Sequence, residues 1–269
     1  MCISVENGFL SGWAAFELKR LAYKNQGKTL IFVVMHALDE PVEHDEPHVP
    51  LRGAPAYLAR HSSWVSIRSL GANHRNRVLT HLLSLDSQDR MMRFGYVAND
   101  AQIEAYVDRL DFHHDAVFGV FNRKLEIVAL AHLAICRVQG AEPVGDFGVS
   151  VLPAWRGRGI GGRLYERAAL HARNEGVELL HIQALASNAP MLAIARKHGA
   201  SVQRMGSESE ARLRLPQPSL ESRLQEILEE YWANIHYTAK SQMRAWSACL
   251  AVFQSIRERA ISANSTCSS

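Results

Sequence analysis

The chain has 269 residues, of which 47% are hydrophobic and 21% charged, and its formal net charge is +3. These proportions are close to those of average globular proteins, so they predict a packed core and exclude a chain that is disordered throughout. The weak positive charge gives no reason to expect nucleic acid as a partner. No apolar run approaches the roughly 20 residues of a membrane-spanning helix, so we expect no membrane insertion.

Four cysteines are spread along the chain without a CxxC pair: Cys2, Cys136, Cys249 and Cys267. This spacing argues against a zinc site or a disulfide framework and favours reduced thiols in a cytoplasm. Residues 1–62 are an N-terminal extension of uncertain structure, in which the apolar run 30–34 is typical of one buried strand. His44, Asp45 and His48 lie in an acidic, proline-rich segment that would not fix a metal geometry, so we expect no metal there.

Regular patterning begins at residue 63. Residues 63–70 alternate like a half-buried strand, and residues 76–85 have helical spacing. Asn99 can cap a second helix. Residues 115–121 and 125–136 are typical of two strands joined by a tight turn, which predicts a hairpin. Residues 146–152 form the next predicted strand.

A glycine-rich turn follows, and after it a helix at 161–175 that Gly176 can terminate. The pattern then predicts a strand at 177–186, a short helix capped by Asn188 and ended by Gly199, and strands at 201–205 and 211–215. This order of elements predicts an α/β fold with a mixed sheet and helices on both faces.

The C-terminal part begins after Pro216-Gln217-Pro218, and its apolar residues recur every three or four positions from Leu220 to Phe253. We expect a helical extension over 216–262, either one long helix or a helical hairpin. Its apolar stripe could pack on the chain's own domain or form a contact in a homodimer. The tail 263–269 is expected to be disordered.

The turn Arg156-Gly157-Arg158-Gly159-Ile160-Gly161-Gly162 carries the most chemical information. Glycine permits positive φ and a close approach of the backbone to a ligand. Successive N–H groups at the start of a helix then point into one concavity, where the helix dipole favours phosphate oxygens. A plain connection between a strand and a helix rarely needs four glycines, so we expect a phosphate-binding turn.

Two familiar phosphate motifs fit this turn poorly. The ATP-binding loop needs Gly-Lys-Ser/Thr, and although Gly27-Lys28-Thr29 has these letters, a strand follows it instead of a helix. The dinucleotide fingerprint is matched literally by Gly157, Gly159 and Gly162. However, the strand does not enter the first glycine directly, and the next strand does not end in the acidic residue that would hold a ribose. A nicotinamide or flavin enzyme is therefore not expected.

The sequence resembles the GNAT superfamily of acyl-CoA-dependent N-acyltransferases. Arg156-x-x-Gly159-x-Gly161 matches its pyrophosphate motif, and the segment from Asn188 to Ala200 is similar to its asparagine-capped helix. The resemblance covers residues 63–215 and implies a mostly antiparallel sheet. It also implies a cytoplasmic N-acetyltransferase that moves an acetyl group from acetyl-CoA to an amine acceptor by direct attack in a ternary complex, without a metal.

The resemblance also implies which residues bind the coenzyme. Backbone groups of Val149, Ser150 and Val151 would pair with the pantetheine arm, and the amides of the turn would hold the pyrophosphate. The turn residues are Arg156, Gly157, Arg158, Gly159, Ile160, Gly161 and Gly162. Asn188 would bind the arm near the thioester, although it can also serve simply as an N-cap.

Proton transfer from the amine needs a base, because an alkyl amine with a pKa near ~10.4 is charged at neutral pH. Asp146 is our candidate by position, while His132 and His181, on neighbouring predicted strands, are more simply explained as sheet histidines. The family often has a Tyr seven residues after the Asn, and this chain has Ala195 there.

The alternative function is a catalytically inactive CoA-binding regulator or scaffold that oligomerises through the C-terminal helix.

Overall fold

A single mixed sheet organises the residues that the computed structural model describes, which are 66–137 and 141–266. Its strands are β1 (Ile67–Leu70), β2 (Ala116–Phe121), β3 (Ile127–Cys136), β4 (Val144–Val151), β5 (Leu179–Leu185), β6 (Ser201–Met205) and β7 (Glu208–Arg214). The spatial order is β1-β2-β3-β4-β5-β7-β6, and only β4 and β5 run parallel. The predicted mixed, mostly antiparallel sheet is therefore confirmed. The predictions for residues 1–65 lie outside the described residues.

In the described part of the chain, six α-helices accompany the sheet: α1 (Arg75–Leu83), α2 (Ser87–Phe94), α3 (Asp100–Asp108), α4 (Ile160–Asn174), α5 (Ala189–Lys197) and α6 (Leu220–Thr266). Sequence patterning did not predict α2, because its sequence SQDRMMRF is largely polar. Capping defines its ends instead: the Asp86 side chain accepts a hydrogen bond from the amide of Asp89, and Gly95 ends the helix in the left-handed conformation.

The helices cover both faces of the sheet, as predicted. Successive side chains of a strand point to opposite faces. In β4, Ser150 contacts His81 of α1, whereas Phe147 packs edge-on against Tyr165 of α4. The face that carries Ser150 is therefore covered by α1, α2 and α3, and the face that carries Phe147 is covered by α4. We call these the α1–α3 face and the α4 face.

The C-terminal extension is one continuous helix of 47 residues, about 70 Å long, rather than a hairpin. A buried ion cluster joins it to α4, because Arg167 contacts Glu226 at 2.8 Å and Glu230 at 3.2 Å. The helix continues through Thr266, four residues beyond the predicted end at 262. Residues 267–269 lie outside the described residues.

Much of the apolar stripe of α6 stays exposed. The large apolar side chains exposed on it are Leu220, Leu224, Ile227, Leu228, Tyr231, Trp232, Ile235, Met243 and Trp246. The stripe therefore does not pack as a whole on the described domain.

Candidate cofactor and acceptor site

The parallel strands β4 and β5 separate after only three paired residues. The last pair is Asp146 with His181, yet β4 continues to Val151 and β5 continues to Leu185. Beyond the last pair, β5 stays paired with β7 on its other edge. The sheet therefore opens between residues 147–151 and 182–185, and we call this opening the β4–β5 gap.

Backbone groups of β4 face this gap at every second residue. The amide of Leu152 donates to the carbonyl of Val128 at 3.0 Å, so residue 152 faces the β3 side. Because orientation alternates along an antiparallel strand, Ser150 also faces β3, while Val149 and Val151 face the gap. Of the three residues expected to bind the cofactor arm, only Val149 and Val151 direct their backbone groups toward the gap.

The glycine turn lies at the wide end of the gap and begins α4. Gly159 is the N-cap residue of this helix with φ +72°, and Gly157 has φ +73°. No atom lies within 4 Å of the position that a Cβ would occupy on either residue. Both glycines therefore adopt the left-handed conformation in front of open space. The first amides of a 15-residue helix are next to them, which is the arrangement that favours an anion.

Gly161 serves a different purpose from its neighbours. A Cβ there would lie 3.1 Å from Cδ1 of Ile194, so its absence lets α5 pack closely against the first turn of α4. Asn188, at the opposite end of α5, comes three residues after the end of β5, the other strand that borders the gap.

The side chains of Arg156 and Arg158 are already engaged by the protein. Arg156 forms an ion pair with Asp89 of α2 at 2.5 Å, and its Nε donates to the carbonyl of Val151 at 3.0 Å. Arg158 donates to the carbonyl of Ala154 and lies over the ring of Trp155. The side chains of the two arginines therefore brace the turn. The amide of Arg156 donates to the carbonyl of Pro153 at 3.2 Å, so Arg156 does not offer the free amide that was expected of it, and the amides from Gly157 onward are the groups positioned for a ligand.

Asn188 is the N-cap of α5, as predicted. Its Oδ1 accepts a hydrogen bond from the amide of Met191 at 3.2 Å, and its Nδ2 donates to the carbonyl of Met92 at 3.3 Å. The side chain thus ties α5 to the end of α2. One Nδ2 hydrogen remains for a further acceptor.

Asp146, the candidate base, is buried at the closed end of the gap. Its Oδ1 lies 3.7 Å from Nδ1 of His181, whose Nε2 contacts Glu210 of β7. Burial alone would lower the pKa of His181, but hydrogen bonds and charge from Asp146 and Glu210 outweigh it and raise the pKa to about 9. The hydrogen bond from His181 lowers the pKa of Glu210 to about 2. His181 is therefore charged at neutral pH and holds two carboxylates.

A buried histidine that sequence reasoning missed fixes β4 on the α1–α3 face. Nδ1 of His81 donates to the carbonyl of Ile127 at 2.9 Å, so Nε2 accepts from the hydroxyl of Ser150 at 2.8 Å. Burial lowers the pKa of His81 to about 4 and keeps the ring neutral. Since His81 and Ser150 are 69 positions apart, no local pattern could have paired them.

A hydrogen-bonded chain crosses the same face. Nη2 of Arg93 contacts the hydroxyl of Tyr106 at 3.0 Å, this hydroxyl contacts Nδ1 of His132 at 2.9 Å, and Nε2 of His132 lies 3.3 Å from Asp115. His132 is thus a satisfied sheet histidine. The expectation that His132 and His181 lie on neighbouring strands is wrong, because β4 runs between β3, which carries His132, and β5, which carries His181.

Ala195, at the usual Tyr position, is fully buried in α5. Tyr165 lies close to the same helix, with its ring 5.0 Å from that of His198. Burial raises the pKa of Tyr165, whose hydroxyl is buried without a hydrogen-bond partner among the described residues.

Within residues 66–137 and 141–266, no cluster of three or more His, Cys, Asp or Glu side chains could hold a metal ion. In the same part of the chain, no helix combines the length and apolar character that crossing a membrane requires.

A sheet that opens between two parallel strands, with a glycine turn and a helix start at its wide end, defines the acyl-CoA N-acyltransferase fold. Residues 84–200 match the model of the acetyltransferase (GNAT) family. The chain therefore contains a GNAT acyltransferase domain, as its sequence predicted. No curated protein matches the chain significantly.

Solved structures with a similar course of the chain were also found. The GNAT domain of S. lividans PAT is 17% identical, with 56% of this chain and 90% of that chain covered and a TM-score of 0.48. The structure of yncA from Salmonella typhimurium with its cofactor acetyl-CoA is 16% identical, with 58% and 97% covered and a TM-score of 0.46. These identities are too low to transfer a substrate.

Proposed function

We propose that this protein is an N-acetyltransferase that moves an acetyl group from acetyl-CoA to an amine in a ternary complex. The observation that carries the proposal is the β4–β5 gap, with the glycine turn at its wide end. An extended pantetheine arm can pair with the gap-facing backbone groups of Val149 and Val151, as an added strand would. The amides from Gly157 to Gly162 can then hold the diphosphate.

The geometry of the turn fits this cofactor. The open space in front of Gly157 and Gly159 gives phosphate oxygens access to bare amides. Asn188 can donate its remaining Nδ2 hydrogen to the arm while still capping α5. We assign Ser150 to the hydrogen bond with His81, which holds β4 in place beside the gap.

When bound, acetyl-CoA supplies an acetyl thioester, whose carbonyl carbon accepts the amine nitrogen. The amide of Val149 faces the gap and is our candidate donor to the carbonyl oxygen as negative charge develops there. Asp146 is our candidate for the group that attracts the acceptor ammonium and receives its proton. The charged His181, whose Nδ1 lies 3.7 Å from Oδ1 of Asp146, holds this carboxylate in place at the inner end of the gap.

The leaving thiol needs no dedicated acid in this proposal. By analogy with cysteine its pKa is near ~8.5, so the thiolate is a tolerable leaving group at neutral pH. Ala195 therefore does not preclude turnover. The buried Ala195 is, however, the observation that favours the alternative, an inactive CoA-binding regulator that assembles through α6.

The test combines a binding and a turnover measurement. Calorimetric titration with CoA should show saturable binding, and release of free thiol from acetyl-CoA should depend on an added amine from a panel. Asp146→Asn should lower kcat and alter its pH profile while CoA binding stays intact. Saturable binding without turnover on any amine would favour the regulator, and absence of CoA binding would refute both functions.

A further inference from the structure

Arg93 of α2 is a buried cation that has no carboxylate partner among residues 66–137 and 141–266. Its side chain is 8% exposed, and Nε and Nη1 have no hydrogen-bond partner in the described part of the chain. The nearest acid along its hydrogen-bonded chain is Asp115, which is reached only through Tyr106 and His132. An uncompensated buried charge is strongly unfavourable. A fold retains such a charge most readily where a ligand supplies the missing anion.

The position of Arg93 places this charge beside the reacting groups. A Cβ on Gly148 would lie 2.6 Å from Nη1 of Arg93, so only glycine lets the guanidinium lie directly on β4. Gly148 is the second residue of β4 beyond the last pair with β5, and it immediately precedes Val149. The guanidinium therefore lies against the α1–α3 face, at the inner end of the β4–β5 gap.

The free donors of Arg93 are held in a defined orientation. Nη2 donates to the hydroxyl of Tyr106, and that hydroxyl donates its own hydrogen to Nδ1 of His132. Two rings, those of Phe94 and Tyr106, also lie within 6 Å of the guanidinium carbon. With Nη2 fixed, Nε and Nη1 are the remaining donor atoms, and a planar guanidinium is well suited to a carboxylate.

The opposite charge needed for an amine lies on the same face. Asp146 and Gly148 are two residues apart on β4, so the Asp146 carboxylate and the Arg93 guanidinium lie beside strand positions roughly 7 Å apart. On the opposite face, Tyr165 packs on Phe147 with ring centroids 5.3 Å apart. Tyr165 thus closes the α4 side of this stretch of β4, whereas Arg93 and Asp146 both lie on its α1–α3 side, so an acceptor at the inner end of the β4–β5 gap would have both charged groups on the same side.

We propose that the acceptor is a small amino acid whose carboxylate is bound by Arg93 while its ammonium group is bound by Asp146. This assignment rests on the proposed acetyl transfer and names the substrate class of that same site. Arg93 thereby determines specificity, and Tyr106 and His132 position it.

The test compares acceptors that differ only in the carboxylate. Release of thiol from acetyl-CoA is measured with each proteinogenic amino acid and with its amide. The wild-type kcat/KM should favour at least one amino acid over its own amide by about 100-fold or more, because a site built for a polar group rejects an analogue that leaves it unpaired. In Arg93→Met this ratio should fall to near 1 while activity on the amide is retained.

The control variant is Arg109→Met, which removes an exposed arginine just after α3 whose Nε donates to the carbonyl of Ala105. It should keep the wild-type ratio. Turnover of amides and simple amines as fast as amino acids, or an unchanged ratio in Arg93→Met, would overturn the proposal.

A second series uses malonyl-CoA and succinyl-CoA with a carboxylate-free amine. A preference for these donors that Arg93→Met abolishes would place the carboxylate on the acyl group and overturn the acceptor assignment.

Thermal unfolding without ligand tests Arg93 independently of turnover. Removing an uncompensated buried cation should leave the melting temperature of Arg93→Met equal to or above that of wild type. A decrease of more than about 2 °C would show that Arg93 serves stability and would overturn the proposal. If wild type does not bind CoA at all, the proposed acetyl transfer is refuted. The two melting temperatures still show whether Arg93 serves stability.

Discussion

Gly159 and Gly176 allow the conformational role of a glycine to be separated from a role in binding. They flank the same helix, α4, with φ values of +72° and +75°, and no atom lies within 4 Å of the Cβ position of either. A left-handed conformation costs a residue with a Cβ about 1–2 kcal/mol. Gly159→Ala and Gly176→Ala should therefore lose similar amounts of the free energy of unfolding, without a steric clash in either case.

Coenzyme binding should differ between the two variants. A methyl group on Gly159 enters the space in front of the turn amides, so the affinity for CoA should fall by about tenfold or more, which is about 1.4 kcal/mol. Gly176→Ala changes only the far end of the helix and should bind CoA like wild type. Urea unfolding measures the free energy of unfolding of each variant, and calorimetric titration measures its affinity for CoA. Equal CoA affinities at equal loss of stability would show that the turn does not hold the diphosphate.

Three further predictions concern stability and assembly. First, the pKa of His81 lies below its ordinary value of 6.5 and that of His181 above it. The stability from a neutral His81 is lost as pH falls from about 6.5 to 4, and that from a charged His181 is lost as pH rises from about 6.5 to 9, so the unfolding free energy should peak near pH 6.5. His181→Gln should flatten the alkaline side of that profile, and an unchanged slope would contradict the assignment. Second, Arg167→Met leaves the carboxylates of α6 without their buried cation and should cost about 3–5 kcal/mol in urea unfolding, whereas a loss below about 1 kcal/mol would show that the cluster does not anchor α6. Third, the exposed stripe of α6 should form a homodimer contact. Light scattering should give twice the chain mass for wild type and the chain mass for Trp232→Glu with unchanged CoA binding, and a monomeric wild type would contradict this contact.

Local signals explain which elements were predictable. The hairpin of β2 and β3, the glycine turn and the Asn188 cap each depend on residues close together in the chain, and each is where the sequence indicated. The start of β7 was misjudged by three residues, because the strand begins right after a two-residue turn at Gly206-Ser207. The continuity of α6 also has a local cause, since its sequence contains neither glycine nor proline.

Much of the candidate site could not be predicted, because long-range contacts create it. Sequence patterning placed Asp146 on its strand but could not show that His181 would contact it. The polar α2 left no apolar periodicity, so neither this helix nor the burial of Arg93 was expected. Ser150 was expected to bind the cofactor arm, but which strand edge its backbone faces depends on the register between β3 and β4.

The short pairing of β4 with β5 also bears on the energy of ligand entry. Only three residue pairs join the strands, and residues 147–151 of β4 form no pair with β5. An extended arm that enters the gap therefore breaks no hydrogen bond between β4 and β5, although the carbonyl of Val151 already accepts one from Nε of Arg156. Because the two strands are already apart at this point, the cofactor arm should bind rapidly and should leave the backbone of both strands nearly where it was.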